Sequence, residues 1–541
     1  MCGICGVLGK QISDLSIVER MIRAIKHRGP DGEGYYHSQH ISLGACLLSI
    51  LDNEKGQQPI FNEDKSACIV FNGEIYNFQL LREELVNEGH IFYSNSDAEV
   101  VLHLFEEYQE DCVNYLEGMF AFAIWDGNKL FLARDRMGIK PLFYSYLPEN
   151  QQFIFASEVK AILEHPDINS EVNEKSLCEL QVLGFILSQG ITLEKNVKQL
   201  APGSILEIAD SNSAIEFKEK TYSVLNPLGE DILRNAVLNE QSICEDLESA
   251  LRESCRAIVR HDNLPKAIYL SGGLDSSLIA ILCAEESLSP IHTFTLADSV
   301  ESEDIRYARK VAKAIGSIHH EILVDDNEYI EEYPKFLEAY ENIPTEGTFD
   351  LGGEFAFFLA SKHISKCVKV AICGEGADEL FGGYWMHRWP LGYADFIFDR
   401  LSNVSLGKEK CELMMDLQKW FPTEEDREIY QYSVFDLLLG SGLSNYHLWA
   451  VDRTSMWYGL EVRVPYLHDR VVKLATSLPV SLKIKGSTTK HILRKVAEKL
   501  FDKYSLLDIL NRPKWAMPDA LKNIKAMINQ DIKTRVAVNE P

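Results

Sequence analysis

The stretch Leu270-Ser271-Gly272-Gly273-Leu274-Asp275-Ser276-Ser277 sets a glycine pair between two apolar runs of different character. Before it, Lys266-Ala267-Ile268-Tyr269 has the length of a buried strand; after it, Leu278 to Ala284 reads as a helix. A strand entering a helix through Ser-Gly-Gly leaves backbone N–H groups free at the helix start, where an anion binds. The hydroxyls of Ser271, Ser276 and Ser277 add donors. Asp275 beside a phosphate requires a cation between them, which makes it a candidate Mg²⁺ ligand. Ser-Gly-Gly alone is an ordinary capped turn, but the whole string after a strand reads as a phosphate loop.

The string resembles the pyrophosphate-binding loop of the ATP pyrophosphatases, which adenylate a substrate and release pyrophosphate. It lacks the Gly-Lys-Ser/Thr ending of the loop that handles a terminal phosphate. Its surroundings fit a parallel sheet. Ile291 to Leu296 reads as a strand, Glu303 to Ala312 as a helix, Glu321 to Val324 as a strand, and Ile243 to Val259 upstream as a helix. This alternation predicts helices on both faces of the sheet, with ligands at the carboxyl ends of its strands. Cys367 to Cys373 is a further strand and runs into Gly374-Glu375-Gly376-Ala377-Asp378-Glu379, at the same predicted sheet edge. Asp275 and Asp378 are therefore candidates to share Mg²⁺ with ATP phosphates, and Glu375 is a candidate to face the reacting carbonyl.

The 541 residues suggest several domains or two large ones. A formal charge of −27 argues against a nucleic-acid or anionic-membrane surface, so ATP must be met by local donors and metal. The 12 cysteines show no paired Cys-x-x-Cys spacing, which predicts reduced, buried thiols in a cytoplasmic protein. The start shows no secretory leader, and no apolar run is long enough to span a membrane.

Cys2 follows Met1 directly. Once Met1 is removed, the α-amine of Cys2, titrating near about 7.7–8.0, stands beside its own thiol as a general base. A helix is predicted over Ile17 to Ile25, then the turn-rich His27-Arg28-Gly29-Pro30-Asp31-Gly32 and a second turn at Gly56-Gln57-Gln58-Pro59. In Phe71-Asn72-Gly73-Glu74, Asn-Gly between apolar runs predicts a hairpin. Read as chemistry, the Asn72 amide and the Gly73 N–H make an oxyanion hole. Ser96-Asp97-Ala98-Glu99 opens a helix from Val100 to Tyr108, with Asp97 either a cap or a partner for a substrate ammonium. Leu116 to Asp126 is a buried strand, and 205–240 reads as an interdomain connection.

Residues from Cys2 to about Gly203 are similar to the glutaminase domain of N-terminal-nucleophile amidotransferases, a sandwich of antiparallel sheets with helices outside. That resemblance implies Cys2 as nucleophile on the glutamine side-chain amide, Asn72 and Gly73 as oxyanion hole, and Glu74 and Asp97 at the glutamine α-amino end. Such families carry an Arg just before Leu-Ser-Ile, pairing with the glutamine α-carboxylate. Here Cys46-Leu47-Leu48-Ser49-Ile50 puts Leu47 in that place. Leucine offers no bidentate fork, which leaves three arrangements open. Another arginine such as Arg28 reaches in, or glutamine is a weak donor, or the donor lacks that carboxylate.

Over nearly the whole chain the motifs resemble the glutamine-hydrolysing asparagine synthetases. Further matches are Gly459 to Leu467, Lys490-His491-Ile492-Leu493-Arg494 and Arg512-Pro513-Lys514. The resemblance implies a glutaminase domain over 2–210 and an α/β ATP-pyrophosphatase synthetase domain over 211–541. Leu270, Leu296, Cys373 and Gly374 would line the nucleoside, Glu375 would deprotonate the incoming ammonium, and Lys490 would stabilise charge on the acyl-adenylate. The implied partners are ATP, Mg²⁺, glutamine or ammonia passed through an internal tunnel, and a carboxylic acid, most simply aspartate. A homodimer is one oligomeric form open to such a chain. In the related β-lactam-forming synthetases the Cys is lost and a Tyr stands at the Glu375 position; both Cys2 and Glu375 are present here. The stretch from Glu341 to Asp350 departs from the asparagine synthetase pattern, so a different acid on the same scaffold is the first rival. A regulatory relative without catalysis is the second, opposed by intact Cys2, Asp275, Glu375, Asp378 and Lys490.

Overall fold

Period-two alternation organises the first half of the chain. In the strand Cys68–Ile75, Ile69, Phe71 and Ile75 face one apolar core while Cys68 and Val70 face another. The strand Gly118–Trp125 repeats the split, with Phe120, Phe122 and Ile124 on one side and Ala121, Ala123 and Trp125 on the other. Both faces of these strands are covered, so they read in sequence as unbroken apolar runs.

The computed structural model describes residues 2–10, 15–52, 56–210, 215–224, 239–341, 352–404, 407–421 and 427–512. The chain forms two compact units: 1–173, 188–225 and 456–459 in one, 174–187, 226–455 and 460–541 in the other.

The first unit holds two six-stranded antiparallel sheets. Cys2–Gly9 is inside one of them, between Ile41–Leu47 and Gln152–Ala156. Cys68–Ile75 is inside the other, paired with Gly118–Trp125 and Ile60–Phe61. The sheets share a core in which Cys2, Ile4 and Leu8 of one meet Val70, Ala121 and Leu132 of the other. Helices Phe78–Glu88 and Asp97–Tyr108 cover the outer face of the second sheet. Ile22 and Val18 of helix Ser16–Ala24 lie against Gly44 of the first.

Two sequence expectations fail here. Asn72-Gly73 makes no turn: both residues lie inside Cys68–Ile75, paired with Ala121 and Phe120. Pairing along the whole strand outweighs the local turn preference of Asn-Gly. Likewise 205–240 is not simply a connection, because Ser204–Asp210 and Ile215–Thr221 form the edge of the second sheet. Polar residues fill that edge strand because most of its side chains are exposed.

The second unit is built on a five-stranded parallel sheet. Lys266–Tyr269 is central; His292–Ala297 and Ile318–Leu323 extend it on one side, and Val370–Ile372 and Glu461–Arg463 on the other. The order reverses between Lys266–Tyr269 and Val370–Ile372, which opens a crevice at their carboxyl ends. The loops after these two strands carry Ser271 to Asp275 and Gly374 to Asp378. Helix Glu174–Leu183 packs in this unit, with Cys178, Val182 and Leu183 in one core with Ile397, Leu413 and Val434. No cysteine is in a disulfide; Cys367 and Cys411 are exposed and Cys244 half-buried, against the expectation that all are buried. Among the described residues no helix is long and apolar enough to cross a membrane.

Candidate active sites

In the first unit, Cys2 opens its strand directly opposite Leu47. The Cys2 backbone N–H donates to Asn72 Oδ1 at 3.2 Å. Asn72 is fully buried, and its Nδ2 has no hydrogen-bond partner among the described residues. A buried amide donor without an acceptor is costly unless something else fills the role, and an oxyanion formed at Cys2 would fill it. Burial pushes the Cys2 thiol above its ordinary range, and the carboxylates of Glu74 and Asp97 push the same way. The thiol therefore needs a base beside it to react.

Cys2, Leu47, Ser49, Gln58, Gly73, Glu74 and Asp97 line one pocket. Asp97 is the first residue of its helix behind the Ser96 cap and accepts the Ile75 N–H at 2.9 Å. Gln58 went unread as chemistry in the sequence: its Nε2 lies 3.5 Å from Cys2 Sγ and donates to Phe71 O at 3.0 Å. Nothing in Gly-Gln-Gln-Pro beyond a turn signal marks that role.

Arg28 does not reach for a ligand. It is fully buried, donates to Glu158 at 2.7 Å and to the Cys2 carbonyl at 3.3 Å. No Lys or Arg stands among the described residues that line the pocket.

In the second unit, Gly272 has φ +69°, and a Cβ there would lie 2.6 Å from the Ala308 backbone nitrogen. Only glycine fits that turn without strain. Ser271 Oγ and Ser276 Oγ are 3.0 Å apart, and the loop leads into helix Leu274–Glu286. Leu270 donates to Phe294 O at 2.8 Å, and Thr295 Oγ1, the neighbour of Leu296, donates to Leu270 O at 2.5 Å. Cys373 donates to Arg463 O at 3.1 Å, and Gly374 packs against Asp275. The predicted nucleotide residues thus lie on two adjoining loops, except Leu296, which is within the strand His292–Ala297. Arg512 donates to Ser271 O at 2.8 Å and pairs with Asp304. Pro513 and Lys514 of that motif lie outside the described residues, as do Met1 and 342–351, so the departure read over 341–350 rests there on Glu341 alone.

Lys490 holds the two loops together. Its ammonium lies 2.5 Å from Asp275 Oδ2 and 2.7 Å from Asp378 Oδ1. Burial works against the ammonium, but the two carboxylates outweigh it and hold its pKa above the ordinary lysine range. Gly383 closes over this pair: a Cβ there would fall 1.7 Å from Asp378 Oδ1 and 2.2 Å from Lys490 Cε. The second oxygen of Asp275, Oδ1, is buried without a hydrogen-bond partner among the described residues. An anionic oxygen left open at the crevice suits a hard divalent cation. A cleft of about 830 Å³ beside it, lined in part by Thr489, His491, Arg494 and Arg512, offers cationic walls within an acidic chain.

Glu375 is partly exposed and faces His447, whose Nδ1 lies 3.6 Å from its Oε2. The other ring nitrogen of His447 is 3.3 Å from Glu379 Oε1 and 3.1 Å from Tyr384 Oη. Tyr384 donates to Glu379 at 2.6 Å. No local pattern marks His447, which ends a π-helical segment, Leu438–His447, more than sixty residues beyond the loop it serves.

Comparison with known proteins assigns a family to each half of the chain. Residues 1–222 match the glutamine amidotransferase domain family and residues 246–537 the asparagine synthase family. Asparagine synthetase [glutamine-hydrolyzing] 1 of Bacillus subtilis is 31% identical over 98% of this chain and 89% of its own length. The enzyme numbered 3 from the same organism is 31% identical over 96% and 87%. The chain belongs to the glutamine-hydrolysing asparagine synthetase family. It is an enzyme of the carbon–nitrogen ligase class, with the sandwich and parallel-sheet architecture expected from the sequence. Another family member, a putative asparagine synthetase of Methanocaldococcus jannaschii, is 33% identical over 72% of this chain and 76% of its own.

Proposed function

We propose that this protein activates a carboxylic acid, most simply L-aspartate, with ATP and converts it to the amide with ammonia from glutamine. The observation that carries the reading is the Asp275–Lys490–Asp378 bridge at the sheet switch point, beside Glu375, in which Lys490 is buried between two part-exposed aspartates. In the first step a carboxylate oxygen of the acid attacks the α-phosphorus, and pyrophosphate leaves. Ser271, Ser276 and the free N–H groups of the 270 loop bind the departing phosphates. Asp275 and Asp378 would hold Mg²⁺, which when bound supplies neutralising charge on the phosphates. Lys490 places a fixed positive charge where the adenylate accumulates negative charge. In the second step Glu375 takes a proton from the incoming ammonium, ammonia attacks the acyl carbon, and AMP leaves.

The nitrogen is released in the first unit. The Cys2 sulfur attacks the glutamine side-chain amide, Asn72 Nδ2 and the Gly73 N–H receive the oxyanion, and water then hydrolyses the thioester. Glu74 and Asp97 hold the ammonium end of glutamine. ATP–pyrophosphate exchange across a panel of acids tests the reading. Exchange that depends on aspartate supports it; exchange with a different acid transfers the chemistry to that acid, and exchange with none removes the synthetase reading.

Leu47 favours a second reading for the nitrogen source. Among the described residues of the Cys2 pocket no Lys or Arg meets the α-carboxylate of glutamine, which favours free ammonia as the donor. Leu47→Arg, across the strand from Cys2, should then improve glutamine use roughly ten- to a hundredfold, the range of a charge-assisted bidentate pair. Ammonia-dependent synthesis should stay unchanged. A wild type that already saturates tightly with glutamine would rule this second reading out.

A further inference from the structure

Away from both sites, the first unit gathers two histidines and two glutamates from three separate segments. Glu63 follows the strand Ile60–Phe61, His90 follows the helix Phe78–Glu88, and His103 and Glu106 lie one turn apart on Asp97–Tyr108. Their nearest ligand atoms all lie within 4.8 Å of one another. His90 Nδ1 is 3.3 Å from Glu63 Oε1 and 3.8 Å from Glu106 Oε2. His103 Nδ1 is 2.7 Å from Glu106 Oε2 and 3.7 Å from Glu63 Oε2. Four donors at about 2.0–2.1 Å from a tetrahedral Zn²⁺ stand about 3.3 Å apart, so these separations bracket that spacing.

Two further observations point to a cation. His90 turns its other nitrogen to an outer carboxylate, Nε2 to Glu107 at 3.0 Å, while His103 Nε2 is buried 3.9 Å from Glu99 without a hydrogen-bond partner among the described residues. The glutamates have outer partners too, Asn62 Nδ2 to Glu106 at 2.7 Å and the Ile91 N–H to Glu63 at 2.9 Å. This is the outer arrangement that orients metal ligands. The charge around the group is negative. Glu63, Glu99, Glu106 and Glu107 surround two histidines, and none of the four pairs with Lys or Arg among the described residues. A divalent ion binding here would displace the protons of the two ligating ring nitrogens, its charge taking the place of theirs among the carboxylates.

We propose that Glu63, His90, His103 and Glu106 bind a divalent transition metal of the Zn²⁺ type, which braces the helix that presents Asp97. The ligands are imidazole and carboxylate without thiolate, a set that Zn²⁺, Co²⁺ and Mn²⁺ accept. The ion would fasten the two segments carrying Glu63 and His90 to that helix. It is distinct from the Asp275–Asp378 site, which lies in the other unit.

The test uses the full-length untagged protein, grown with added Zn²⁺ and dialysed, with metal content measured by mass spectrometry. One Zn²⁺ per chain is expected, falling to near zero in Glu63→Gln/His90→Ala. Chelation followed by desalting should lower the first thermal transition by several degrees, and Zn²⁺ should restore it in wild type only. Loading with Co²⁺ should give the intense visible bands of a four-coordinate ion, a readout on wild type that does not depend on the variant folding. Wild type that retains no metal and shows only six-coordinate Co²⁺ overturns the proposal. Equal metal in wild type and a folded variant overturns it as well.

Discussion

Asp275→Asn should abolish ATP–pyrophosphate exchange and leave glutamine hydrolysis at Cys2 at its wild-type rate. The substitution keeps the shape of the side chain and removes one of two charges that hold Lys490 between the loops. It also replaces the open Oδ1 edge, the candidate cation ligand, with a neutral amide edge. Charge stabilisation of a phosphoryl group by a bound cation is a matter of several kcal/mol, so a loss on the order of 10³ in exchange is expected. Cys2, Asn72 and Glu74 belong to the other compact unit and keep all their partners. The two activities are to be measured on the same preparation. Equal loss of both would mean that Asp275 holds up the whole molecule, and the reading of two separate sites would fail.

Glu375→Gln should preserve nucleotide binding and lower amide formation by roughly 10²–10⁴, the usual contribution of a positioned general base. Glu375 is part-exposed in the group it forms with His447, Tyr384 and the buried Glu379. Glutamine fills the same space but takes no proton. Burial and the surrounding carboxylates push the Tyr384 phenol well above its ordinary range, so Tyr384 stays a donor to Glu379 and does not substitute as base. Single-turnover amide formation with saturating ammonia isolates the step from glutamine hydrolysis. Near-normal turnover in the variant would assign Glu375 a structural role.

Much of this architecture was legible because strong local signals agreed with the tertiary solution. The 270 loop, the run from Leu116 to Asp126 and the Ser96 cap all sit where periodicity and turn chemistry put them. The failures share a cause: at those positions distant partners decided the outcome. Asn72-Gly73 carries a turn signature, yet register with Ala121 and Phe120 extends it. Ile215–Thr221 has a polar pattern because it is an edge strand. The candidate sites followed the same rule. Asp275 and Asp378 were readable as loop residues, whereas the Lys490 ammonium between them comes from 215 positions beyond Asp275. Gln58, His447 and the Glu63–His90–His103–Glu106 group carry no local pattern, since each acts only through neighbours brought by folding.

The opening strand has a consequence for how the nucleophile gets its address. Cys2, Ile4 and Leu8 face the space between the sheets, while Gly3 lies against Ile25 on the helix side. The thiol's place is therefore a matter of parity. A slip of one residue against Ile41–Leu47 would turn Cys2 toward the helix and put a glycine where the sulfur belongs. Such a chain would still contain every catalytic residue, and its strand would still be paired. Glutamine hydrolysis in this protein should thus report correct strand alignment during folding, falling silent in a misthreaded sandwich that circular dichroism would count as native.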